Sequence, residues 1–241
     1  MESLIREVHE TVPFNNFRPF LVSRGVDVPE RVGGNCVYQA GVLRNRLLEK
    51  GSACRVFRAH VSDHHIVLGG EEEEAVILDP IRFLRKAVKV EDVRREGRLV
   101  SDVFEFPGKN NQPMVFSLDD RESLSMCSEG AEFSDDASVF DLKEEGELPR
   151  EDDFVAMGIG DPRLVLAYLE GEKVVRIIFD SRKGLFRVGD GEWRQERMEA
   201  LSRRFCEISE HVEVDPKYLF HYFSIAAEIR GEIERENIAI Y

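Results

Sequence analysis

Cysteine is scarce in this chain: of 241 residues only positions 36, 54, 127 and 206 carry a thiol, and no Cys-x-x-Cys pair occurs. Four scattered thiols make neither a disulfide framework nor a cysteine metal site, and no His/Cys/Asp/Glu spacing suggests a metal. The chain also lacks an apolar run of about eighteen residues, the length needed for a membrane-spanning helix. Its first residues, Met1-Glu2-Ser3-Leu4-Ile5-Arg6-Glu7, lack an apolar core of signal-peptide length. A reducing, cytoplasmic setting is therefore the expectation. Positive charge is in deficit, with Lys+Arg 33 against Asp+Glu 47 and a net charge of −14. That balance argues against nucleic acid or an anionic membrane surface as partner. Internal repeats, heptads and low-complexity tracts are missing as well.

What is present is the composition of a packed core. The apolar fraction is 42% and Phe alone occurs 16 times, a globular rather than a disordered pattern. The length suits one large domain or two small ones. Charge is unevenly spread: residues 119–153 hold fourteen acidic and three basic side chains, and residues 82–98 hold seven basic and three acidic. The acidic stretch reads as a solvated, partly mobile loop region, and the basic one as an exposed helix face or a contact for a phosphorylated ligand.

Periodicity divides the chain into a helical region over 1–60, a β-rich region over 61–190 and a helical region over 191–241. Cys36, Ala40, Leu43 and Leu47 fall on one face of a helix, and Gly51 stands where it should stop. Cys54–Val61 reads as a strand. His65–Leu68 and Ala75–Asp79, separated by Gly69-Gly70 and four consecutive Glu, read as a hairpin with an exposed tip. Phe154–Gly160, Arg163–Leu169 and Lys173–Phe179 are further strands, the last two joined through Glu170-Gly171-Glu172. Met198, Leu201, Phe205 and Ile208 repeat at helical spacing, and Asp215-Pro216 resembles the start of a final helix running to about Arg235. Helices first, strands in the middle and helices last suggest an α+β architecture.

Within this pattern Cys36 is the candidate nucleophile. It follows Gly33-Gly34-Asn35 at the start of the first long helix, where unpaired N–H groups and the helix dipole favour a thiolate. The glycines would let a substrate carbonyl approach the backbone closely. If the hairpin is centred on Glu72, His65 faces Asp79 across it, at a separation suited to a carboxylate that holds an imidazole. His64 then points to the other face, and a slip of one residue would exchange the two histidines. His60 on the neighbouring strand could line the same site. His9, His211 and His221 sit in expected helices and read as packing or surface residues.

Three segments resemble the arylamine N-acetyltransferase family, within the transglutaminase-like group of papain-type cysteine enzymes. Val12-Pro13-Phe14-Asn15-Asn16-Phe17 is similar to that family's Ile-Pro-Phe-Glu-Asn-Leu, and Arg31-Val32-Gly33-Gly34-Asn35-Cys36 to its Arg-Gly-Gly-x-Cys. His65-Ile66-Val67-Leu68 followed by Val76-Ile77-Leu78-Asp79 resembles its His-x-x-Leu strand and the next strand ending in Asp. The departures are Asn15 for Glu, Val32 where Arg is expected, and Asp79-Pro80-Ile81-Arg82-Phe83 for Asp-x-Gly-Phe-Gly. The Leu-Asp-Pro ending looks more like transglutaminase-like proteins at large.

The resemblance, which covers about residues 5–83, implies a papain-like fold with N-terminal helices, a central antiparallel β sheet or barrel and C-terminal helices. It implies a triad of Cys36, His65 and Asp79 that moves an acyl group from a thioester to an amine through an acyl-cysteine. Acetyl-coenzyme A or another acyl thioester would be the co-substrate, small molecules the donor and acceptor. The basic residues nearest Asp79, namely Arg82, Arg85 and Lys86, are the candidates to meet the coenzyme's phosphates. Two other readings stay open: a transglutaminase-like amidase or peptidase in which water takes the acyl group, and a binding protein that retains the fold without catalysis.

Overall fold

A computed structural model describes residues 1–60, 64–105, 112–130, 137–149, 163–180, 185–188, 194–195 and 217. Phe154–Gly160, the Met198–Ile208 spacing with Cys206, the helix from Asp215-Pro216, and His211 and His221 lie outside these residues. The chain forms two compact units. One holds Met1–Glu10, Cys36–Pro149 and Leu169–Val175, and the other Thr11–Asn35, Arg150–Tyr168 and Arg176–Tyr241. Both are discontinuous, so they cut across the consecutive segments 1–60, 61–190 and 191–241.

The first unit is mixed helix and antiparallel sheet. Helix α1 (Glu2–Thr11) buries Leu4, Ile5, Val8 and His9. Helix α3 (Cys36–Glu49) begins at the candidate nucleophile and buries Val37, Ala40, Leu43 and Leu47 along one stripe. It stops where the sequence indicates: Gly51 takes φ +71, its N–H bonds Leu48 O at 2.9 Å and that of Ser52 bonds Leu47 O at 2.9 Å. These two bonds satisfy carbonyls the helix leaves open.

Strands β2 (Cys54–Arg58), β3 (His65–Gly69), β4 (Val76–Leu78) and β5 (Val88–Lys89) form one sheet in that order. Helix α4 (Val90–Glu96) leads to a second sheet of β6 (Arg98–Ser101), β7 (Met114–Leu118), β8 (Ser123–Ser128) and β9 (Ser138–Asp141). The two sheets share one apolar core containing Phe57, Ile66, Leu68, Ile77, Phe116 and Phe140. Helix α3 packs on β2 and β3. A Cβ placed on Gly69 would lie 3.2 Å from Leu47 and 3.3 Å from Leu78, which marks the helix-facing side of the β2–β5 sheet.

Part of the acidic stretch is therefore sheet rather than solvated loop. Leu124, Met126 and Phe140, each 0% exposed, alternate inward along β8 and β9, and most of the described acidic residues fall in the turns that flank these strands. Within the basic stretch, α4 carries Arg94 and Arg95 on its exposed surface, as expected for a helix face.

A third sheet, of β1 (Phe14–Asn15), β10 (Arg163–Glu170), β11 (Lys173–Asp180), β12 (Leu185–Val188) and β13 (Arg194–Gln195) in that order, belongs to the second unit except for Leu169–Val175. Gly171, at φ +61, makes the tight β10–β11 turn. Helix α2 (Arg18–Ser23) follows β1. Among the described residues, no helix is long and apolar enough to cross a membrane.

Candidate active site

The hairpin that carries the histidines and the aspartate pairs Val67 with Leu78, Leu68 with Ile77 and Gly69 with Val76. Its register thus differs by one residue from a hairpin centred on Glu72. The tip is the reason: Gly70 takes φ +99 and Glu72–Glu74 form a 3-10 turn, so six residues separate the paired Gly69 and Val76. A one-residue shift moves every side chain to the opposite face. His65 therefore shares the α3-facing side with Val67 and Gly69, and Asp79 lies on the side of Ile66 and Leu68.

The expected facing of His65 and Asp79 is accordingly replaced by another pair. His64 Nε2 lies 2.9 Å from Asp79 Oδ2, with both side chains almost wholly buried. The His64 ring meets Phe140 edge-on, at 5.6 Å between centroids. Asp79 Oδ1 accepts the backbone N–H of Ile81 at 2.9 Å and of Arg82 at 3.1 Å. Both carboxylate oxygens are thus engaged. Burial works to raise the Asp79 pKa, but the His64 imidazole, the Arg82 guanidinium and the Ile81 N–H together hold it below the usual carboxylate range. With Nε2–H donated to Asp79, His64 keeps Nδ1 as its proton acceptor, a tautomer assigned from this geometry.

Cys36 is the first residue of α3 and is partly exposed. The helix start does not lower its pKa as the sequence suggests. Burial of the sulfur and the negative charge of Asp79 push it up to about 11, and the N–H groups of Val37, His65 and Cys36 itself offset only part of this. Cys36 thus sits against the peptide of one histidine and within the field of the aspartate paired to the other. His65 is 0% exposed, and its backbone N–H is among the donors that favour the thiolate.

Two supports were not legible beforehand. His9 falls on the buried face of α1, one turn after Ile5, and its ring stacks on Phe83 at 4.5 Å. Neither of its ring nitrogens makes a well-formed hydrogen bond. Burial lowers its pKa to about 4, against a weaker opposing pull from Asp79 and the Asp79 and Pro80 carbonyls. Phe83 itself takes φ +50, so the 79–83 turn is held in a backbone conformation that a bulky residue rarely adopts.

The second support lies in the peptide that runs into Cys36. Gly33 takes φ 73, ψ −161, and a Cβ there would fall 1.8 Å from Pro13 O. Its missing side chain therefore serves Pro13 rather than a substrate. Gly34 N–H bonds Pro13 O at 3.1 Å, and Gly34 O accepts from Asn15 N at 2.8 Å. Asn15 Nδ2 donates to Val32 O at 2.7 Å and Arg18 Nη1 to Pro29 O at 3.0 Å. The Val12–Phe17 and Arg31–Asn35 segments are thus one hydrogen-bonded structure.

The remaining candidates are dispersed. His60 is exposed, its N–H bonded to Val139 O. Arg85 is exposed and committed to Val103 O and to the Phe104 ring, while Lys86 is exposed. Arg82 alone of the three basic residues adjoins Asp79. Among the described residues, no group of three or more His, Cys, Asp or Glu is placed to hold a metal ion.

No family model matches the chain, and no curated protein matches it by sequence. The fold does have solved counterparts. Arylamine N-acetyltransferase C from Bacillus anthracis superposes with a TM-score of 0.54 at 12% identity, over 86% of this chain and 88% of that one. An arylamine N-acetyltransferase from Bacillus cereus with a unique Cys-His-Glu catalytic triad superposes with a TM-score of 0.54 at 13% identity, over 84% and 86%. The likeness is one of fold.

Proposed function

We propose that the chain is a cysteine-dependent acyltransferase in which Cys36 is the nucleophile, His64 the general base and Asp79 the residue that orients and charges His64. The observation that carries this reading is the buried His64–Asp79 pair at 2.9 Å, whose carboxylate charge is felt at the Cys36 thiol, on a fold shared with arylamine N-acetyltransferases.

With the thiol pushed up to about 11, proton removal accompanies attack rather than preceding it. His64 Nδ1 takes the Cys36 proton as sulfur bonds to the acyl carbon. The donor's carbon–sulfur bond then breaks, and its thiolate leaves with the proton from the imidazolium. In the second half-reaction an amine nitrogen bonds to the acyl carbon and gives a proton to His64. The Cys36–acyl bond breaks, and the sulfur regains its proton. Asp79 stabilises the imidazolium in both halves. The donor class is a small acyl thioester, with acetyl-coenzyme A the first case to try and cytoplasm the expected setting.

Mass spectrometry of the intact protein after incubation with a panel of acyl thioesters tests this. The expected result is one acyl increment, mapped to Cys36 and discharged faster when an amine is added. Discharge at a rate indifferent to amines would turn the reading to hydrolysis. No adduct with any donor would turn it to a binding role.

A further inference from the structure

We propose that the first unit carries a second site, a groove that binds a short apolar peptide by both of its ends: the ammonium at Glu72 and Glu73, and the carboxylate at Arg55 and Lys143. The groove is lined by none of Cys36, His64 and Asp79, so the proposal is independent of the acyl-transfer reading.

The groove encloses about 650 Å³, within the range of small-molecule sites, about 300–1,000 Å³. It opens where the core shared by the β2–β5 and β6–β9 sheets reaches the surface, and Leu68, Ala75, Val90 and Leu142 of that core form its floor. Charges of both signs stand around this floor. Arg94 is engaged by Glu91 at 2.5 Å and Glu122 at 2.8 Å, and Glu74 by Lys89 at 2.6 Å. Glu72, Glu73, Arg55 and Lys143 line the same groove, yet none of the four makes an ion pair among the described residues. Arg55 lies instead over the Phe57 ring, at 5.4 Å. Two carboxylates and two cations thus border one space without meeting across it. The strand order keeps them apart. Arg55 belongs to the edge strand β2, and Lys143 follows β9, whose Phe140 bridges Ala59 just past β2. Glu72 and Glu73 lie in the tip between β3 and β4. One to two strand spacings separate the two pairs, about 5–10 Å. A ligand with an ammonium at one end and a carboxylate at the other satisfies both, which a cation or an anion alone does not. Two or three extended residues span about 7–10 Å, and apolar side chains suit the floor.

The test titrates trileucine into the full chain and follows the methyl signals of Leu68, Val90 and Leu142 by NMR. The expected result is a saturable shift of these signals. N-acetyl-trileucine and trileucine amide, which each lack one terminal charge, should bind about three- to tenfold more weakly. In the double variant Glu72→Gln, Glu73→Gln the preference for the free ammonium should vanish while that for the free carboxylate stays. In Arg55→Gln, Lys143→Gln the reverse should hold. The comparison of free and capped peptides on the parent chain stands even if a variant fails to fold. Unmoved methyl signals at millimolar trileucine, or equal binding of the free and capped peptides, overturns the proposal. So does tighter binding of spermidine than of trileucine, which would reduce the groove to an acidic surface.

Discussion

His64 Nε2 and Asp79 Oδ2 lie 2.9 Å apart in a buried pair, whereas His65, one residue on, opens strand β3 on the side of Val67 and Gly69. The chemistry proposed for the site depends on that difference of one residue.

The raised pKa of Cys36 makes a claim about the resting thiol. A group ionising at about 11 is almost wholly protonated at pH 7. Alkylation by iodoacetamide, which needs the thiolate, should therefore rise about tenfold per pH unit from 7 to 10. Rates followed by peptide mapping check this. A plateau already reached near pH 7 would mean a standing thiolate–imidazolium pair.

Asp79→Asn should move two measurements in opposite directions. Removing the negative charge lowers the Cys36 pKa, so alkylation at pH 8 becomes faster. Losing the group that orients and charges His64 slows acylation, by about two to four orders of magnitude. A variant slower in both would indicate simple damage to the fold.

Acid sensitivity should follow from His9. Its native pKa of about 4 lies below the unfolded value of about 6.5. Between these values the unfolded chain binds the extra proton, so stability is full above about 6.5 and falls as pH drops towards 4. The loss is up to about 3 kcal/mol. Urea unfolding at pH 7.5 and 4.5 measures it, and His9→Phe should flatten the slope. Asp79, held low, contributes above its unfolded value and loses that contribution only at still lower pH.

Gly33→Ala should destabilise by about 3 kcal/mol or more, because both its backbone conformation and the space beside it exclude a Cβ. For a chain of this size that lowers the thermal midpoint by about 6–12 °C. An unchanged midpoint would show that the 29–35 segment does not depend on this close approach.

The sequence made the elements legible where periodicity and turn chemistry agree. The α3 stripe from Cys36 to Leu47, its stop at Gly51 and the β10–β11 turn at Gly171 all appear as expected. The register of the β3–β4 hairpin was not legible, because the four glutamates at its tip specify exposure but no turn type. The burial of His9 follows from its spacing to Ile5, yet nothing local ties it to the 79–83 turn, which comes from far along the chain. The strands in the acidic stretch were masked by the acidic residues of the turns around them, although β8 itself carries no charge. Gly33 was legible as a special position, but its reason lies at Pro13.

The central claim is that the base is the histidine paired to Asp79. Single-turnover acylation of Cys36 by a small neutral ester such as 4-nitrophenyl acetate, measured in His64→Ala and His65→Ala side by side, tests it most directly. The account predicts that His64→Ala slows the acylation burst by about two orders of magnitude or more while His65→Ala leaves most of it. A lost burst in His65→Ala with a retained one in His64→Ala would contradict it.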